Sequence, residues 1–135
     1  MSTVETINPT SLLPPMQGLY AQIAIAPASR LAFISGQAAY EASGAFVGAG
    51  DYGAQAVKAF QNLKAAISAA GGRPESLVRM TIYVVDYEMK LARSIFGAAR
   101  EVFGEDWPVT SSVLLGVKAL AMPEWLIEVD AIVAL

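Results

Sequence analysis

The stretch Pro108–Leu135, PVTSSVLLGVKALAMPEWLIEVDAIVAL, holds two apolar runs, SSVLLGVKAL and WLIEVDAIV, on either side of a Pro-containing loop. Their β-branched and aliphatic content predicts two strands. Only Glu128 and Asp130 interrupt the second run; two apart, they project from one face of a strand. Upstream, LVRMTIYVVD (77–86) predicts another strand, and YAQIAIA (20–26) and LAFISGQ (31–37) predict an antiparallel pair joined through Pro27–Arg30.

Helical spacing appears twice between these runs. Val57, Phe60, Leu63 and Ile67 recur on one side while Lys58, Gln61 and Lys64 fall on the other; Asp51 stands at the N-cap and Gly71-Gly72 at the stop. Met89, Ala92, Ile95, Phe96, Ala99, Val102 and Phe103 form a second stripe that ends at Gly104, with Arg93 and Arg100 on its wet side. Residues 1–19 carry Pro9, Pro14, Pro15 and Gly18, which favours an irregular leader. The order ββ, α, β, α, ββ predicts one α+β domain over residues 1–135, a single mixed sheet with two helices packed on one face.

Composition narrows the chemistry. The 135 residues include neither Cys nor His, which removes disulfides, the usual zinc ligand sets, thiol catalysis and Ser-His-Asp triads. Acid–base work falls to Asp, Glu, Tyr or Lys, and we expect neither metal nor cofactor. Nine Lys+Arg against twelve Asp+Glu, with no basic cluster, lack the footprint of a nucleic-acid binder. No apolar run reaches the roughly 18 to 20 residues that cross a bilayer, and the first fifteen residues lack a signal-peptide pattern, so a soluble cytoplasmic protein is expected. With 55% hydrophobic and 16% charged residues, a small monomer would have difficulty covering its apolar surface, and self-association is the natural remedy.

Several segments together resemble the Rid family, also called the YjgF family, of small trimeric imine and enamine deaminases. They are LYAQIAIA, LAFISGQ with Ser35-Gly36-Gln37, QNLKAAISAAGG, LVRMTIYVVD and PVTSSVLLGVKALAMPEWLIEVDAIVA, in the family's order and near its spacing. The resemblance implies a chorismate-mutase-like fold in a barrel-like homotrimer, with small-molecule clefts between subunits. By the same resemblance Tyr20 takes the family's tyrosine position, Ser35, Gly36 and Gln37 supply groups around the substrate, and Glu128 is the glutamate that holds or activates the hydrolytic water. The family's arginine, in a P-x-R-S/T context, is replaced here by Thr110, and threonine cannot supply the paired, charge-assisted bonds by which a guanidinium grips a carboxylate.

Two functions stay open at this point: a hydrolytic imine or enamine deaminase whose substrate lacks the usual carboxylate, or a non-catalytic trimer that binds a metabolite or regulates a partner. A ribonuclease role, also attached to relatives, sits poorly with an acidic chain that has no histidine. Each site residue has a plainer alternative. Glu128 and Asp130 could be a solvated edge or pair with Arg79 or Lys118, Tyr20 could be packing, and Ser35–Gln37 a plain turn. Thr110, counted with Tyr20 and Gly36 as a neutral donor to the substrate, and Ser112 on the same face could instead bond local backbone, and Trp107 and Trp125 are expected as anchors rather than stacking platforms. Phe96, Met122 and Trp125 are expected to make the cleft wall apolar.

Overall fold

A computed structural model of the chain describes residues 4–16 and 18–135. Strands β1 (Glu5–Ile7), β2 (Ile23–Ile25) and β3 (Leu31–Gln37) precede helix α1 (Tyr52–Ala69); β4 (Leu77–Val85), α2 (Ala92–Phe103), β5 (Ser111–Val117) and β6 (Ile127–Ala134) follow. Four strands form one mixed sheet in the order β3-β6-β4-β5, with both helices on one face, so the α+β layer expected from the sequence is what forms.

β6 lies at the centre because it can be buried. Its odd positions, Ile127, Val129, Ala131 and Val133, are apolar and buried against the helices, and it runs antiparallel to both β3 and β4. β4 and β5 run parallel, with Met80 opposite Ser112 and Tyr83 opposite Leu115, and α2 makes the crossover that a parallel pair requires. Phe60, Leu63 and Ile67 of α1 and Ile95, Ala99 and Phe103 of α2 complete the core. Asp51 caps α1 by accepting a bond from the Ala54 amide at 3.0 Å. Gly71, at φ 90°, closes it in a Schellman arrangement, Gly72 N–H to Ile67 O and Gly71 N–H to Ser68 O.

Three expectations are corrected. The leader is not irregular throughout: Glu5–Ile7 pairs antiparallel with Ile23–Ile25 as a separate two-stranded ribbon, while residues 1–3 and 17 lie outside the described residues. β2 therefore takes its partner from the leader and not from β3, whose partner is β6. Met89 does not join the second helical stripe. It opens a 3-10 turn, Met89–Leu91, ahead of α2 and is 86% exposed.

The face of the sheet away from the helices carries Glu128 and Asp130 among apolar residues. Leu31, Phe33 and Leu115 stand exposed there, Phe33 at 73%, beside Val113 and Ile132. Among the described residues no helix is long and apolar enough to cross a membrane.

Candidate functional site

Ser35-Gly36-Gln37 is where β3 departs from regular pairing. Ile34 faces Ala131 and Gln37 faces Val129, so Ser35 and Gly36 together oppose Asp130 in a bulge. The bulge presents Gly36 to β6, and the missing side chain leaves room for a carboxylate. A methyl group at Gly36 would overlap Glu128 Oε1 and lie 2.7 Å from its Cδ. Gln37 folds back, its Nε2 donating to Ser35 O at 3.1 Å.

Glu128 and Asp130 share the open face as the alternation of β6 requires, and their surroundings differ. Asp130 Oδ2 accepts from the Tyr83 hydroxyl at 3.0 Å, and this bond, followed by burial, raises the phenol's pKa above 10.0. Glu128 pairs with neither Arg79 nor Lys118; the ion pairs among the described residues are Lys58–Glu41, Arg73–Glu75 and Lys90–Glu88. Burial, with the Asp130 charge second, raises the Glu128 pKa above the ordinary 4.5.

Tyr20, Thr110 and Ser112 sit at the other side of the sheet. Tyr20 precedes β2 rather than belonging to a strand, and the next amide, Ala21 N–H, donates to Thr110 O at 3.0 Å. Thr110 departs from its expected place among the substrate-binding residues. It is 2% exposed, and its hydroxyl lies 2.9 Å from both Leu77 O and Val78 O, so its one proton is committed to the mouth of β4. Ser111 adds a bond to Val78 O at 2.7 Å. Ser112 lines a hollow of about 170 Å³ with Tyr20, Leu19, Ile82, Phe96 and Trp107. Phe96 thus makes this wall apolar.

The two groups of residues do not meet within one chain. Ser112 lies opposite Met80, on the helix-bearing face, whereas Glu128 lies opposite Tyr83, on the open face. A second hollow, of about 430 Å³, takes in Gly36, Gln37, Tyr40, Asn62 and Trp125, without Tyr20 or Ser112. Among the described residues no three acidic side chains gather as metal ligands would.

The tryptophans are anchors. Trp107 packs edge-to-face on Phe60 and Phe103 and donates to Leu19 O at 3.0 Å, fixing the segment before Tyr20. Trp125 stacks edge-on to Tyr40 and donates to its hydroxyl at 2.9 Å. Sequence reasoning missed a set of polar clamps on α1. Gln55 is fully buried; its Nε2 donates to Gly48 O and Glu124 O, each at 3.1 Å, and its Oε1 accepts from Leu126 N–H at 2.8 Å. Asn62 donates to Ala38 O and Tyr40 O, both at 2.9 Å. Together they tie down the loops on either side of Gly36 and Glu128. The available signal was Gln55 four residues before Ala59 and eight before Leu63, on the apolar side of α1.

The α+β sheet thus carries a carboxylate seated over a bulge glycine on one face and a separate tyrosine-lined hollow on the other side. Residues 11–135 match the family model described as endoribonuclease L-PSP, and the chain belongs to that family, the YjgF or Rid family. The chain is similar to protein DfrA of Myxococcus xanthus, with 30% identity over 116 residues that cover 85% of this chain and 84% of the relative. A crystal structure of the Rid-family protein YyfB from Yersinia pestis matches with a TM-score of 0.87 and 32% identity, over 98% of this chain and 99% of that one. The structure of a probable translation initiation inhibitor from Rhodopseudomonas palustris matches at 0.67 and 26% identity, over 98% of each.

Proposed function

We propose that the protein is a cytoplasmic homotrimer that binds a small molecule between subunits and hydrolyses an imine or enamine lacking the usual carboxylate beside the C=N carbon. The observation that carries this reading is the seat of Glu128: a carboxylate held over Gly36 without a cationic partner among the described residues, its pKa raised by burial. In the deamination, Glu128 takes a proton from water as the water oxygen bonds to the C=N carbon and the C=N π bond breaks, and Glu128 passes that proton to the nitrogen. The carbinolamine then breaks its C–N bond, releasing ammonia as the hydroxyl gives up its proton and the carbonyl forms.

Tyr20 and Ser112 from a neighbouring subunit would orient the substrate, together with backbone near Ser35-Gly36-Gln37. Thr110, as the residue in the arginine's place, would act beneath them by holding the strand mouth and the Tyr20 segment. The test is ammonia release from freshly generated imines, with esters and amides among them, and Glu128→Gln as control. A rate above buffer that the variant loses is expected; no rate with any of them would end the deaminase reading. One observation favours the second reading, a metabolite-binding or regulatory trimer: threonine stands where the arginine is expected, and its hydroxyl is already spent on backbone.

A further inference from the structure

A hollow of about 500 Å³ opens between the Gly18–Leu19 turn and the C-terminal half of α2, outside the site described above. Its walls are apolar, with Leu19, Phe96, Trp107 and Val109 prominent, and Arg100 is the one cation among its lining residues. Arg100 is exposed and forms no ion pair among the described residues, although Glu105 lines the same hollow. Leu19, Phe96 and Trp107 also line the smaller hollow that holds Tyr20 and Ser112, so the two adjoin across a shared wall. Arg100 follows Phe96 by one helical turn, about 6 Å along the axis.

We propose that this hollow takes the acid end of the ligand, which is a carboxylic acid with an apolar body whose carboxylate lies remote from its reacting end. Arg100 grips the carboxylate through paired, charge-assisted bonds, as only a guanidinium's planar fork can. The apolar body lies on Leu19, Phe96 and Trp107, and the polar head reaches Tyr20 and Ser112. The inference rests on the reading that the Tyr20 hollow belongs to the ligand cleft. It supplies a cation from α2 where the mouth of β5 offers none, and it selects acids longer than those whose carboxylate adjoins the imine carbon.

Calorimetric titration of the full-length protein with octanoate and with 1-octanol tests it. Octanoate is expected to bind about tenfold or more tightly than octanol. Arg100→Gln, at an exposed position, is expected to erase the difference with an unchanged circular dichroism spectrum. Glu105→Gln, which removes the opposing charge, is expected to tighten octanoate binding. Failure of octanoate to bind, equal affinity for the two probes, or a preference that survives Arg100→Gln would each overturn the proposal. The titration does not read ammonia. An Arg100-dependent preference supports the acid site even where every imine proves inert, and deaminase activity with no such preference removes the acid site alone.

Discussion

Gly36 and Glu128 are coupled by volume rather than by a bond. Gly36 does not have a positive φ, so alanine fits the backbone there, and the whole cost of Gly36→Ala comes from the overlap with the Glu128 carboxylate. Because the overlap is with the end of a flexible, half-buried side chain, the variant is expected to push the carboxylate aside at a cost of about 0.5 to 1.5 kcal/mol in urea denaturation. In a Glu128→Ala background the same substitution should be nearly neutral, a coupling that a double-mutant cycle measures directly. Thr110 makes a different prediction at the same scale. Thr110→Val keeps the shape and removes the donor to Leu77 O and Val78 O, costing about 1 to 3 kcal/mol, whereas Thr110→Ser keeps most of the stability.

The sign of the Glu128 shift fixes a pH dependence. Its folded pKa lies above 4.5, so the folded state holds the proton more tightly than the unfolded chain. That contribution to stability is present in full below the unfolded value and is lost as pH rises through the folded one. Denaturation midpoints measured from about pH 4 to about pH 7 should therefore fall for the wild type relative to Glu128→Gln. Ammonia release should move the other way, rising with pH to a midpoint above 4.5, because the base must be ionised.

At the scale of elements, α1 works as a frame for two loops as well as a core helix. Gln55→Met preserves length and apolar bulk but leaves Gly48 O, Glu124 O and Leu126 N–H without their clamp. An orphaned buried group costs about 1 to 3 kcal/mol, so the variant should be clearly destabilised and the Leu126 amide should exchange faster with solvent. Such clamps were hard to read from sequence, because their partners lie as far as 71 residues away along the chain. Periodicity, by contrast, carried α1, α2 and the main strands, since burial on one face leaves a mark every two or every three to four residues. It failed for β1, three exposed residues with no apolar alternation to detect, and so assigned β2 the wrong partner. At the site, the sequence placed Glu128 and Asp130 on one face correctly. The bulge that brings Gly36 beneath Glu128, and the backbone bonds that absorb the Thr110 hydroxyl, depend on cross-strand register, which no local pattern encodes.

For the whole molecule, the exposed face of the sheet is the dominant feature. Leu31 and Phe33 at one edge of that face and Leu115 at the other are large apolar side chains left exposed. Light scattering is expected to give three times the 14.2 kDa of the single chain, and Phe33→Glu should shift the mass toward the single-chain value. A single-chain mass for the wild type would remove the shared cleft.

The placement of Ser112 and Glu128 on opposite faces also has a genetic consequence. A cleft assembled from two chains need not receive both of its halves from the same allele. On the proposed trimer, chains carrying Tyr20→Phe and chains carrying Glu128→Gln are each expected to lose activity alone and to regain it when unfolded together and reassembled. Random mixing in equal amounts gives about one intact cleft in four. Mixing the two kinds of trimer without exchange of chains should give none, so complementation would come from the assembly itself.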